Sequence, residues 1–482
     1  MLLFATALLS ASTLAGPTTA PSQPSTQPLT QQGSTYAIRA RTIHVGGGET
    51  IKNGVILIEN DKIRAVGPNL SVPNGATVIE HDGVVTAGLI ALHGYSGTKV
   101  ASGGGQTIIL SPFGRAEQVT ESWKQHVHGH AELEDEAEEV LVDRGEEVDD
   151  EPVEEDSEHA GHGHDEHGDD EHGEEEEHEH GGTTDPEPVE VETIAPVEDG
   201  GLFAAREVVV DSTRTVIAEA ETAHAFNPAS ADFRRALEAG ITTLVLTPDA
   251  QSLVPGQTAV VKSSGRVVDR NAHLSLGFSS RALRSDRYPT SLSGAVAELD
   301  QRFAKPEGVF KEAATGKLPI LFEVGGRQDV LRAADFAKRH KLSGAVNGAS
   351  RVGEVAEAIK AAGLSAVVGP FPIGASGREL RSVVELAKTG VPFGFGMDAP
   401  RQDPEVLRIS AASCIGQGLD PVVAWSALTD TAARIAGVET RVGRLAAGLD
   451  ADLVLWSGHP LDLGSRPATV IVDGQMLVGG AQ

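Results

Sequence analysis

Residues 318–371 read LPILFEVGGRQDVLRAADFAKRHKLSGAVNGASRVGEVAEAIKAAGLSAVVGPF. Short apolar runs alternate here with longer charged stretches. LPILFEVGG, SGAVNGAS and LSAVVGPF read as strands with their exit loops, and RQDVLRAADFAKRHK and RVGEVAEAIKAAG read as helices. In the second helix Val352, Val355, Ala356 and Ile359 form one apolar stripe at the spacing of a helical face. A strand followed by a helix, repeated, predicts a parallel sheet. The pattern extends downstream through the helix GRELRSVVELAKTG to the strand VPFGFGMDAP. Upstream it includes a helix at 229–240 and the strand ITTLVLTP. So many units favour a closed barrel over an open sheet, and such barrels carry their sites at the C-terminal ends of the strands. No internal repeat is present.

Both ends of the chain change period. AIRARTIHV, GVILIENDKIRAVG and ATVIEHDGVVTAG alternate apolar and polar residues, with a hairpin turn expected at Asn60-Asp61. ADLVLWSG and ATVIVDGQMLVGG do the same near the C-terminus, with Asp473-Gly474 as a turn. The expected fold class is therefore α/β: a TIM-like (β/α) barrel over 86–439, with a small β-sandwich domain formed from residues 35–85 and 440–482.

The net charge of -30 comes from one segment. Residues 131–200 hold 32 of the 69 acidic residues and a single base, Arg144, of the 39. The rest is near neutral, and an acidic run repels phosphates, so nucleic acid is excluded as a partner. Ten of the 17 histidines fall between His126 and His180. The densest part, HAGHGHDEHGDDEHGEEEEHEHGG, carries His159, His162, His164, His167, His172, His178 and His180. Residues 126–200 cannot bury a core and read as a disordered insert interrupting the barrel after its first or second strand, projecting from the site-bearing face or its rim. Imidazoles and carboxylates so close together are candidate low-affinity ligands for divalent metals; a merely solvated loop is the alternative.

Residues 1–15, MLLFATALLSASTLA, read as a signal peptide, although no Lys or Arg precedes the apolar run. Residues 16–34 form a Pro/Ser/Thr/Gln-rich linker. The expected location is exported, periplasmic or secreted, with no transmembrane span once the signal is removed. The lone cysteine, Cys414, falls in an expected helix at 406–418 and reads as a small buried residue.

Several segments resemble one family. GVVTAGLIALHGYSG (83–97) is similar to the first motif of the amidohydrolase superfamily, in the branch of imidazolonepropionase-like and related secreted enzymes. ALTDTAARIAGVETRVGRLAAGLDADLVLWSGHPLD (427–462) resembles that family's ending more closely still, and residues 227–262 and 390–400 also look like family segments. Outside the signal, linker and insert, the resemblance covers nearly the whole chain. It implies a barrel with divalent metal, zinc first, at its mouth. The implied ligands are two histidines of the first motif, one each from the fifth and sixth strands, and an aspartate after the eighth. The metal would lower the pKa of bound water while the aspartate takes its proton.

Position by position, the chain departs from that set. His93 matches the first histidine, but Tyr95 stands at the second and Ala91 at the usual Asp. Glu323 and Gly325 occupy the fifth-strand region, Asn347 the sixth-strand position, and Asp398 the eighth. His93, Glu323 and Asp398 form one candidate ligand set, with Asp398 as the catalytic group; a hydrogen-bonded polar cluster in a retired site is the alternative. Tyr95, Gly325 and Asn347 would then line a pocket at lost ligand positions. Lys262 is either a bridging group or, as the favoured reading, a strand-end lysine facing solvent. His224 and His273 read as ordinary loop or core residues.

Three functions stay open. One is metal-dependent hydrolysis of a non-peptide C–N bond in a small-molecule substrate, cyclic amides being the model. The second is a non-catalytic barrel that binds a ligand or partner. The third is extracytoplasmic binding of divalent metal by the insert.

Overall fold

The computed structural model describes residues 35–99, 207–208, 214–285 and 287–479. The signal, the linker and the His-rich insert with its seven named histidines lie outside the described residues.

The chain enters through β1 (Thr35–Gly46), β2 (Glu49–Glu59), β3 (Lys62–Pro68) and β4 (Thr77–Ala87). β5 (Leu89–Gly94) follows at once, then the two-residue pair β6 (Thr98–Lys99) and β7 (Glu207–Val208). Next come β8 (Ile241–Leu246), β9 (Gly256–Lys262), β10 (Val267–Gly277), β11 (Ile320–Glu323), β12 (Gly344–Asn347), β13 (Ser365–Val368) and β14 (Phe393–Phe395). The chain ends in β15 (Leu453–Trp456), β16 (Pro467–Val472) and β17 (Gln475–Val478).

Strands from both ends share one sheet, in the order β17-β16-β15-β4-β1-β2-β3. This is the small β domain expected from the two termini. Alternation serves it well: Ile38, Ile56 and Ile58 join one apolar cluster, while Ala37, Val55 and Leu57, one residue out of step, join another. Both anticipated hairpin turns are present. Asn60 has φ 58° at the β2–β3 turn, and Asp473 and Gly474 have φ 51° and 72° at the β16–β17 turn. The two turns pack together, so a Cβ on Gly474 would overlap the carbonyl oxygen of Asn60.

The barrel sheet runs β14-β13-β12-β11-β10-β9-β8-β5. It is nearly closed, because Tyr95 N donates to Ala399 O at 2.7 Å and Met397 N to His93 O at 3.0 Å across the β5–β14 seam. The expectation of an all-parallel sheet needs correction. β9 is antiparallel to both β8 and β10, so this part of the wall is a meander without helices between its strands. Its connections are too short for a helical crossover, which parallel pairing requires. Elsewhere the helices take their places: Ala231–Glu238, Leu292–Ala304, Arg327–His340 and Gly377–Thr389, with Val406–Gly416 after the last strand. The helix expected at 351–363 is split. Val352–Val355 is 3-10 and Ala356–Ala361 is α, after Arg351 with φ 51°.

Two apolar layers hold the barrel. Outward residues such as Ile320, Phe322, Val346 and Val368 meet the helices, and inward residues Leu92, Val245, Leu321, Ala345 and Val367 fill the interior. Cys414 is buried among the helices, and burial pushes its thiol up to about 12, so it is not a nucleophile.

The β domain is locked to the barrel floor by a buried ionic cluster. Lys262, at the end of β9, is fully buried against Asp452 and lies 3.0 Å from Asp450 Oδ2 and 3.7 Å from Asp473 Oδ1. The solvent-facing reading of Lys262 is therefore overturned. It is not a bridging group at the mouth either. β9 runs against its neighbours, so its C-terminal end lies at the floor, opposite Thr243 near the start of β8. Asp450 also meets Lys62 and, at 2.8 Å, Arg441. Burial opposes its ionisation, but these cations prevail and hold its pKa down at about 2.

Candidate functional site

Counted around the barrel, β5 is the first strand, β11 the fifth, β12 the sixth and β14 the eighth. The positions named from the sequence therefore reach the mouth in the order expected. The side-chain period of two explains how. Leu321 and Glu323 share the inward face of β11, as do Ala345 and Asn347 on β12. One step further along each strand, the apolar interior gives way to polar groups.

His93 is the penultimate residue of β5 and is buried. Its Nδ1 lies 3.9 Å from Asp398 Oδ1, and its Nε2 is 3.5 Å from the Tyr95 hydroxyl, the two rings meeting edge to face. Burial lowers the His93 pKa to about 3, helped by the positive charges of Arg401 and Arg281, so the imidazole is neutral at ordinary pH. Burial also raises the Tyr95 hydroxyl, with Glu323 adding to the shift.

Glu323 and Asn347 form the second group. Asn347 Nδ2 donates to Glu323 Oε2 at 2.8 Å, while Glu323 Oε1 is buried without a hydrogen-bond partner among the described residues. Burial pushes Glu323 up to about 7 against the lowering effects of Asn347 and Arg281. Gly325 supplies no donor atom of a side chain. Its N–H, with that of Gly326, donates to Asp329 Oδ2 and caps the helix that follows.

Asp398 lies just beyond β14 with φ 54°, a left-handed conformation that aspartate tolerates better than most residues. Burial raises its pKa, opposed by Arg401 and Arg281. Arg401 decides the character of the site. Its guanidinium is 3.6 Å from Asp398 Oδ1 and 3.7 Å from Asp249 Oδ2, and stands 4.5 Å above the Tyr95 ring. Asp249 follows β8, is 1% exposed, and leaves Oδ1 without a hydrogen-bond partner among the described residues.

Asp249, Arg401 and Arg281 were missed in the sequence. A signal existed for two of them: Asp249 follows the apolar run ITTLVLTP, in a loop at the site-bearing end, and Arg401 stands three residues after Asp398. The other histidines go elsewhere. His273 is buried between Thr258 and the Ile435 carbonyl, and His224 sits in a short 3-10 turn.

These residues do not suit a divalent cation. Among the described residues no three His, Cys, Asp or Glu side chains are grouped so as to hold a metal. His93 and Asp398 meet, but Glu323 is engaged by Asn347, and the charge facing the carboxylates is a guanidinium that would repel a metal ion.

Comparison with known proteins agrees with the topology. Residues 322–477 match the model of the amidohydrolase family. That segment is similar to an amidohydrolase-family domain. An amidohydrolase from Thermotoga maritima superposes with a TM-score of 0.65 at 18% identity, covering 92% of this chain and 100% of that one, which supports the fold. Shorter stretches resemble two curated proteins. One is imidazolonepropionase of Aeromonas hydrophila, 34% identical over 89 residues (18% of this chain, 22% of that protein). The other is amidohydrolase tasK of Hapsidospora irregularis, 34% identical over 77 residues (16% of this chain, 8% of that protein). The matches thus span less than a quarter of either relative. Within this amidohydrolase fold, His93 and Asp398 stand at two of the positions singled out in the sequence, and an arginine faces them.

Proposed function

We propose that this amidohydrolase-family barrel binds a small ligand at its mouth without a divalent metal and no longer hydrolyses C–N bonds through metal-activated water. The observation that carries this reading is the position of Arg401, paired with Asp398 and Asp249 and seated over Tyr95. The carboxylates that would neutralise a metal already face an organic cation. A hydrolase is the inherited activity that family membership supports, and it is the competing reading.

The two readings part in one experiment on the full chain. Metal content and hydrolysis of cyclic amides and dipeptides are measured for the wild type and for a His93→Ala, Asp398→Ala double variant. The proposal expects no hydrolysis, and any metal found to be equal in both proteins. Hydrolysis or bound metal that disappears in the double variant would overturn it.

A second role rests on the sequence of the insert. Its ten histidines among carboxylates favour loose capture of divalent metal, independent of the barrel. Residues 1–15 favour export, which would place that capture outside the cytoplasm.

A further inference from the structure

The barrel mouth holds two kinds of unmet demand. Glu323 Oε1 and Asp249 Oδ1 are buried carboxylate oxygens without a hydrogen-bond partner among the described residues, although their residues are only 6% and 1% exposed. Buried acceptors of this kind are costly unless something donates to them. The second demand comes from Arg401. Its guanidinium touches Asp398 and Asp249 at 3.6 and 3.7 Å, which is ion-pair contact but longer than a good N–H···O bond. Its planar fork therefore retains donors suited to bidentate contact with an incoming carboxylate. Arg281 adds a second positive charge, felt by His93, Glu323 and Asp398 alike.

We propose that the mouth is a binding site for a small amino-carboxylate, its ammonium group seated against Glu323 and Asp249 and its carboxylate against Arg401 and Arg281. This deepens the metal-free reading above and rests on it. The chemistry selects the class. A simple anion would satisfy the arginines but leave the two carboxylate oxygens orphaned and repelled. A simple amine would do the reverse. A zwitterion meets both and leaves the net charge of the site unchanged. Tyr95, held under Arg401 and beside His93, forms one wall and fixes the guanidinium in place.

The test is calorimetric titration of the full-length protein with a chain-length series of unbranched ω-amino acids from glycine to 6-aminohexanoate. Butyrate and butylamine, each carrying one of the two charges, are the controls. The expected result is saturable binding of at least one member, at least ten-fold tighter than either control, and weakened at least ten-fold in Glu323→Gln and in Arg401→Gln. Both variants are checked for native circular dichroism. If either fails to fold, the comparison with butyrate and butylamine still decides. Absence of binding by the whole series, or equal binding of a control, overturns the proposal. Metal analysis of the same samples separates the two failures. Metal dependent on His93 and Asp398 refutes the metal-free reading, whereas a metal-free protein that ignores the series refutes only the ligand class.

Discussion

Arg401 lies 3.6 Å from Asp398, three residues away in the chain, and the pair occupies the rim of the barrel just beyond its eighth strand. Removing the arginine takes from Asp398 and Asp249 the cation they share. Arg401→Ala should lower stability by about 1–2 kcal/mol, less than a fully buried pair would cost because the side chain is partly exposed. It should also raise affinity for cobalt(II) at least ten-fold over the wild type, read from the visible absorption of the bound ion. Adding Asp398→Asn should abolish the gain. An unchanged cobalt affinity would show that the guanidinium is not what keeps metal away.

At the mouth, the pKa shifts of His93 and Glu323 act in opposite senses on stability. His93, held down at about 3, binds a proton more readily when unfolded, so its contribution to stability grows as pH rises from 3 to 6.5. Glu323, raised to about 7, binds its proton more readily when folded, so its contribution falls as pH rises from 4.5 to 7. Between 4.5 and 6.5 the slopes largely cancel. Glu323→Gln should therefore be near neutral at pH 4.5 and stabilising at pH 8, by up to about 3 kcal/mol from the size of the shift. Urea unfolding at the two pH values checks this; equal effects at both would contradict a raised Glu323.

At the floor, Lys262 is the fully buried cation facing Asp450 and Asp452. Burial raises the pKa of Asp452, with Lys262 opposing the rise. Lys262→Met should cost about 3–5 kcal/mol, the usual penalty for leaving one partner of a buried pair uncompensated. Adding Asp452→Asn should recover part of the loss, because it removes the orphaned charge. The check is the unfolding free energy of the single and double variants. A double variant less stable than the sum of its parts would argue against direct coupling.

Zinc titration addresses the insert. Replacing His159, His162, His164, His167, His172, His178 and His180 with asparagine should remove most calorimetrically detected zinc binding. His93→Ala should leave it unchanged. Loss of binding in the His93 variant would instead point to the barrel.

Much of this architecture was legible in the chain, and the illegible parts have identifiable causes. Hydrophobic period marked the strands at both ends and the βα units from residue 318 onward, because each element there has its own turn chemistry and apolar face. The antiparallel β9 was not legible: an apolar run such as GQTAVV carries no direction. Lys262 misled for a related reason. A lysine closing a strand usually faces solvent, and only the three-dimensional return of Asp450 and Asp452 reveals its partners. At the mouth, His93 and Asp398 could be aligned by motif, but Arg401 could not, since its importance lies in the contacts it makes with Tyr95 after β5 and Asp249 after β8.

The seam that closes the barrel pairs residues 93–95 with residues 397–399, and the floor cluster pairs Lys262 with Asp450 and Asp452. Neither can form until almost the entire chain has been synthesised. A nascent chain would carry β1–β4 without β15 at its side, and His93 without Asp398. Folding is thus dominated by contacts remote in sequence, which slows it and prolongs exposure of unpaired strand edges. Truncation before Asp450 would remove β15–β17 and leave Lys262 buried without Asp450 and Asp452, while the seam residues at 93–95 and 397–399 would remain.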